Sequence, residues 1–274
     1  MNKKSIIPDV IEMASNRRSF VRKLGVATAA VGAVATLGVK NAEAQTATDV
    51  DVLNFALNLE FLEAEFYTVA TTGKTLKESG LNVGTNPGVV SGGNQVTFSN
   101  SLVFTSAVAL EIAQDERTHV ALLQSALGNS AISEPNINLN ALGFGFGSQD
   151  DFLKLARIFE DIGVTAYAGA APLLSSAVIG TAARILAAEA EHVANIRLQI
   201  ARLNIPTAPA LDGVDILPPP SNPNHYFSLN AQALCSIRTP GQVLYLAYGA
   251  ANATSGGFFP NGVNGVYNTS SAAA

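Results

Sequence analysis

Two stretches, QDERTHVALL at residues 114–123 and AAEAEHVANIR at residues 187–197, decide how this chain should fold. Each sets a glutamate three residues ahead of a histidine, Glu116 before His119 and Glu189 before His192, and together they use two of the three histidines in the sequence. Residues three apart share a face of an α-helix, so each carboxylate and imidazole point the same way. Both stretches lie inside long Ala-rich runs with apolar residues at helical spacing. Burying an ionisable pair on an apolar face is costly unless something compensates it.

Outward from these stretches the same periodicity recurs. The run from Ala47 to about Thr72 reads as a first helix, stopped by Gly73. A Gly/Asn-rich segment, 79–97, interrupts the pattern, and Ser99 or Asn100 is the expected cap of a second helix that ends near Leu127, before Gly128. Residues 128–148 carry Pro135 and LGFGFGS and hold no helical period. A third helix is expected from Ser148, where Asp150 and Asp151 suit the positive end of the helix dipole, to about Pro172. The fourth covers about Ser176 to Leu203, before Asn204 and Pro206. Four such helices, each about 36–42 Å long at 1.5 Å per residue, predict an all-α four-helix bundle. Residues 128–148 are long enough to cross the length of the bundle between helices two and three.

A second internal symmetry strengthens that reading. Helix one holds Glu60 with Tyr67 seven residues on, in LEFLEAEFY; helix three holds Glu160 with Tyr167 seven residues on, in FEDIGVTAY. Seven residues is nearly two turns, so each Glu and Tyr share a stripe. The order Glu–Tyr, Glu-x-x-His, Glu–Tyr, Glu-x-x-His describes two related helical hairpins. Four carboxylates and two imidazoles facing one interior can be reconciled by two divalent metal ions, bridged by some carboxylates and terminated by others. Nitrogen and oxygen donors without thiolate suit iron or manganese, and zinc also accepts them. Glu63, one turn past Glu60, is an alternative ligand, but its counterpart by symmetry is Gly163, which favours Glu60 and leaves Glu63 beside the site. Tyr67 and Tyr167 read as core residues with a hydroxyl partner, or as catalytic groups bonded to the ligands. Glu65, Glu111 and Glu191 read as solvated or ion-paired faces, and His225, among prolines, as a loop residue.

Both ends of the chain differ from this middle. NRRSFVRKLG, residues 16–25, places Arg17 and Arg18 before an apolar run of about fifteen residues and the small-residue sequence NAEA, which ends at Ala44. This pattern predicts a signal peptide over 1–44 of the twin-arginine kind, with Asn16 where such signals usually carry Ser or Thr. An uncleaved membrane anchor and an ordinary secretory signal are the alternatives. Seven of the sixteen Lys and Arg and three of the twenty-one Asp and Glu lie in 1–44, leaving nine basic against eighteen acidic residues. So acidic a chain is a poor match for nucleic acid. Cys235 is the single cysteine, which excludes an intrachain disulfide. Residues 204–274 form an extension predicted to wrap the 45–203 bundle: a Pro-rich connector over the surface, a short helix in RTPGQVLYLAYG capped by Thr239, and a loose Gly/Asn/Ser-rich end.

The ligand pattern over residues 48–203, with RTPGQVL and GGFFPNG in the tail, resembles the ferritin-like superfamily, in particular exported ferritin-like domain proteins akin to plant desiccation-related proteins. The resemblance implies Glu60, Glu160, His119 and His192 as terminal metal ligands and Glu116 and Glu189 as bridges. It further implies that Asp115, just before a ligating Glu, orients the opposite histidine; Ala188 stands at the other equivalent position. A twin-arginine signal implies passage through that export machinery, which carries folded, cofactor-loaded proteins, and a periplasmic or extracellular destination. The implied activity is di-metal oxidoreductase chemistry on oxygen or peroxide, including Fe²⁺ oxidation. The alternative is a stress- or desiccation-related protein that binds metal without turnover. Assembly as a homo-oligomer is compatible with the family, although the long tail is unlike the compact subunits of iron-storage cages.

Overall fold

The computed structural model describes residues 48–99 and 106–274. The signal sequence read over 1–44 and the cap position Asn100 lie outside the described residues. Four long helices dominate: α1 (Asp49–Thr72), α2 (Ser106–Leu127), α3 (Gln149–Ala170) and α4 (Ile179–Arg202). Among the described residues no helix is long and apolar enough to cross a membrane.

The helix ends follow local chemistry. Thr48 caps α1 in a reciprocal box with Asp51, whose backbone N–H donates to the Thr48 hydroxyl at 3.2 Å. Gly73 closes the helix at φ 73°, a left-handed conformation in which a side chain would be strained. Ser148 caps α3 ahead of Asp150 and Asp151. Helix α4 begins at Ile179 rather than Ser176, because Ser175–Val178 form a turn first. The expected short helix is present as α5 (Pro240–Tyr248), with Thr239 and Gln242 forming a second capping box.

α1 packs along α2 and α3 along α4, and α1 meets α3 across the interior. Helix α1 is buried on nearly all sides, including Asn54, Asn58 and Glu65. It therefore has no single apolar stripe and sits at the centre of the molecule. Phe66 anchors it there, with ring centroids 5.1 Å from Phe152 and Phe159 on α3 and 5.4 Å from Phe146 in the α2–α3 connection. The connections 73–99 and 128–148 lie side by side as a short parallel pair, β1 (Val90–Ser91) with β2 (Ile137–Asn138). The sequence carries no strand alternation there, and two residues per strand are too few to show any.

The carboxy-terminal segment is tied down, which corrects the expectation of a loose end. Phe258 and Phe259 are buried, the backbone N–H of Asn264 donates to the Asn58 side chain at 3.0 Å, and Tyr248 Oη donates to the Asn268 carbonyl at 3.1 Å. Buried arginines fasten the Pro-rich connector to the bundle. Arg238 holds Asp212 with two bonds of 2.8 Å and Thr165 Oγ1 with one of 2.7 Å; Arg157 reaches Asp215 at 2.6 Å. Arg197 bonds Asp161 at 2.8 Å and the carbonyls of His225 and Tyr226. Gly169 makes close approach feasible, because a Cβ there would stand 2.0 Å from the Arg238 carbonyl oxygen.

Candidate metal centre

The four helices each deliver one glutamate to the middle of the bundle: Glu60 from α1, Glu116 from α2, Glu160 from α3 and Glu189 from α4, all fully buried. His119 and His192, one turn beyond Glu116 and Glu189, are also buried. Their ligand atoms fall into two groups, each within 4.8 Å: Glu60, Glu116, Glu189 and His119 in one, and Glu160, Glu116, Glu189 and His192 in the other. Glu116 and Glu189 belong to both. Both imidazoles turn Nδ1 inward. His119 Nδ1 lies 3.3 Å from Glu60 Oε2 and Glu116 Oε2 and 3.4 Å from Glu189 Oε1; His192 Nδ1 lies 3.1 Å from Glu116 Oε1 and 3.3 Å from Glu160 Oε2.

The tyrosines complete the symmetry crosswise. Tyr67 Oη on α1 donates to Glu160 Oε1 on α3 at 2.5 Å, and Tyr167 Oη on α3 donates to Glu60 Oε1 on α1. One oxygen of each carboxylate is thereby fixed by a hydroxyl while its Oε2 faces the interior. Both phenols are held well above their usual range by burial and by the carboxylate each one faces. Asp115, half-exposed, places Oδ2 3.3 Å from Nε2 of His192, across the bundle from its own helix.

The donor set fits divalent metal. Glu60 Oε2, Glu116 Oε1, Glu160 Oε2, both oxygens of Glu189 and His192 Nδ1 are buried without a hydrogen-bond partner. His192 Nδ1 and Glu116 Oε1 are close but not aligned as donor and acceptor, so they converge on a common point instead. Burying so many polar atoms unpartnered is unfavourable. Four carboxylates carry four negative charges, which two divalent cations would neutralise. In the metal-free protein burial and then Glu189 push Glu116 up to about 7, and burial and then Glu160 push Glu189 up to about 8. Burial opposes a charged His192 imidazole, yet Glu116 and Glu160 hold it up to about 12; Glu116, Glu189 and Glu60 raise His119 likewise.

All the residues singled out by spacing meet at this centre or border it. Glu63 lies outside both ligand groups, buried at their edge, and burial together with Glu189 raises its carboxyl well above the usual range. Glu111 and Glu191 are exposed as expected, but Glu65 is not a solvated face. It is fully buried, accepts the Leu76 N–H at 2.9 Å and faces Glu134, and burial lifts the pair to about 7 and about 9. No periodicity could reveal this pair, since Glu134 reaches it from the α2–α3 connection. Gly163 also eluded the sequence beyond its asymmetry with Glu63: a Cβ there would fall 2.6 Å from Glu189 Oε2.

A four-helix bundle with paired Glu-x-x-His helices and facing glutamates defines a class, and residues 48–202 match the ferritin-like domain family, so the chain belongs to it. Among curated proteins it is 30% identical over 171 residues to the desiccation-related protein PCC13-62 of Craterostigma plantagineum, covering 55% of this chain and 52% of that one. It therefore spans about half the length of that relative. It is also 26% identical over 268 residues to the ferritin-like catalase Nec2 of Nesocodon mauritianus, covering 79% of this chain and 84% of the relative.

Proposed function

We propose that this protein holds two divalent metal ions, iron or manganese, in its bundle and uses them for redox chemistry on peroxide or dioxygen. The observation that carries the reading is the pair of ligand groups sharing Glu116 and Glu189. In this reading Glu116 and Glu189 would be shared by the two ions, Glu60 and His119 would hold one, and Glu160 and His192 would hold the other. The ions when bound supply Lewis acidity and electron exchange with the oxidant. The protein's own part is orientation and charge. Tyr67 and Tyr167 fix one oxygen of each terminal carboxylate, Asp115 aims the His192 imidazole, and the surrounding apolar core limits water. Likeness to a ferritin-like catalase supports peroxide as the oxidant.

The test is turnover by reconstituted protein. Peroxide consumption with oxygen release, or Fe²⁺ oxidation with Fe²⁺ as substrate, is expected from the wild type and lost in Glu116→Ala. Equal rates in the two proteins would refute the assignment. A second reading, a desiccation-related protein that retains metal without turnover, draws on the 30% identity to PCC13-62. It predicts full metal content with no rate above that of free ions. We also propose export by the twin-arginine route, supported by Arg17, Arg18 and the NAEA sequence. Amino-terminal sequencing of protein exported by its own host should begin at Gln45, and an intact Met1 would contradict it.

A further inference from the structure

An apolar pocket of about 70 Å³ lies beside the centre, between α1, α3 and the extension, with none of the six ligands in its lining. Its walls come from Leu59 and Leu62 on α1 and Phe159 and Ile162 on α3, and the extension roofs it with Val243, Ala247 and Phe258. At its inner end stand Gly163 and Glu63, the one ionisable side chain in the lining. Gly163 is the thin wall between the pocket and Glu189. Any side chain there would strike Glu189 Oε2, at 2.6 Å, an oxygen that is buried and has no hydrogen-bond partner.

The volume sets the size of the guest. A water needs about 10–15 Å³ on such a measure, and a dry apolar cavity of about 150 Å³ holds benzene or xenon. A space between these limits suits a molecule of a few atoms, and its lining gives a polar guest almost nothing to bond. A second, open depression of about 260 Å³ lies over His192 and is polar, with Glu111, Asp115, Glu191 and Asn195 in its lining.

We propose that the pocket between α1, α3 and the extension is a binding site for a small apolar molecule of dioxygen's size, separated from Glu189 by Gly163 alone. It rests on the metal-centre reading only for its consequence in turnover, since the pocket exists in the polypeptide itself. The experiment is therefore begun on metal-free protein. Crystals of the full chain are pressurised with xenon, alongside Ala247→Leu, which fills the pocket, and Leu246→Trp, at its half-buried rim. Xenon is expected beside Gly163 and Phe258 in the wild type and lost in at least the filled variant, with thermal melts confirming that each variant folds. Absence of xenon from the wild-type pocket overturns the proposal. In reconstituted protein, both variants should slow dioxygen-dependent Fe²⁺ oxidation while peroxide consumption is retained. Xenon in the pocket with dioxygen rates unchanged in both variants overturns its link to the reaction. Failure of the metal reading would leave the xenon result standing.

Discussion

At the scale of single residues, the two ligand groups make unequal demands on the six side chains. Glu116 and Glu189 serve both groups, whereas His119 and His192 each serve one. His119→Ala is therefore expected to weaken one ion more than the other, and Glu116→Ala to weaken both, as read by titrating metal into apo-protein and resolving the binding steps. Identical two-step losses in the two variants would contradict the sharing. Asp115 is half-exposed, so Asp115→Asn should leave folding intact while lowering metal affinity by about tenfold or more, the usual effect of losing a group that orients a ligating histidine. The six side chains were legible because helical spacing alone puts i, i+3 and i, i+7 residues on one face. Tyr67 and Tyr167 were legible as positions but not as partners: each bonds the glutamate of the opposite helix rather than the one on its own stripe. Glu65 was misread, because α1 is buried on sides that a lone amphipathic helix would expose.

Among the elements, the four long helices were readable from periodicity and caps, and their ends agree with the expected ones to within a few residues where described. What could not be read was the attachment of residues 204–274. Its anchors are separated by long stretches of sequence: Arg238 to Asp212 and Thr165, Arg157 to Asp215, Asn264 to Asn58. Nothing in a Pro- and Asn-rich composition announces such pairings. Because Arg238 is buried with its partners, Arg238→Ala would strand Asp212 and should cost about 3–5 kcal/mol, the range for breaking a buried ion pair. Denaturant unfolding checks the magnitude, and hydrogen exchange should show α5 and the connector opening before the four-helix core. Gly169→Ala should loosen the same attachment, since its Cβ has no room beside the Arg238 carbonyl. A variant as stable as the wild type would show that the extension contributes little.

For the whole molecule, the centre couples folding to charge. Metal-free, the native protein holds protons on Glu116 up to about 7, on Glu65 up to about 7, on Glu189 up to about 8 and on Glu134 up to about 9. In the unfolded chain each of these glutamates titrates near 4.3, roughly its ordinary value. The raised His192 acts in the same direction, because it stays charged in the fold after its unfolded counterpart has lost its proton. The native state thus binds more protons than the unfolded one, and metal-free stability should fall as pH rises from about 5 to about 8. Metal at the centre would displace the protons on Glu116, Glu189 and His192 and leave those on Glu65 and Glu134, so loading should make the slope shallower without abolishing it and stabilise most at the alkaline end; thermal melts across pH with and without metal test this. A metal-free protein that gains stability as pH rises would contradict it. The central claim, that the bundle is built around two ions, is tested most directly by elemental analysis of the folded chain after reconstitution. Two ions per chain in the wild type, with a marked loss in Glu116→Ala, is the expected result; less than one ion per chain in the wild type would contradict the claim.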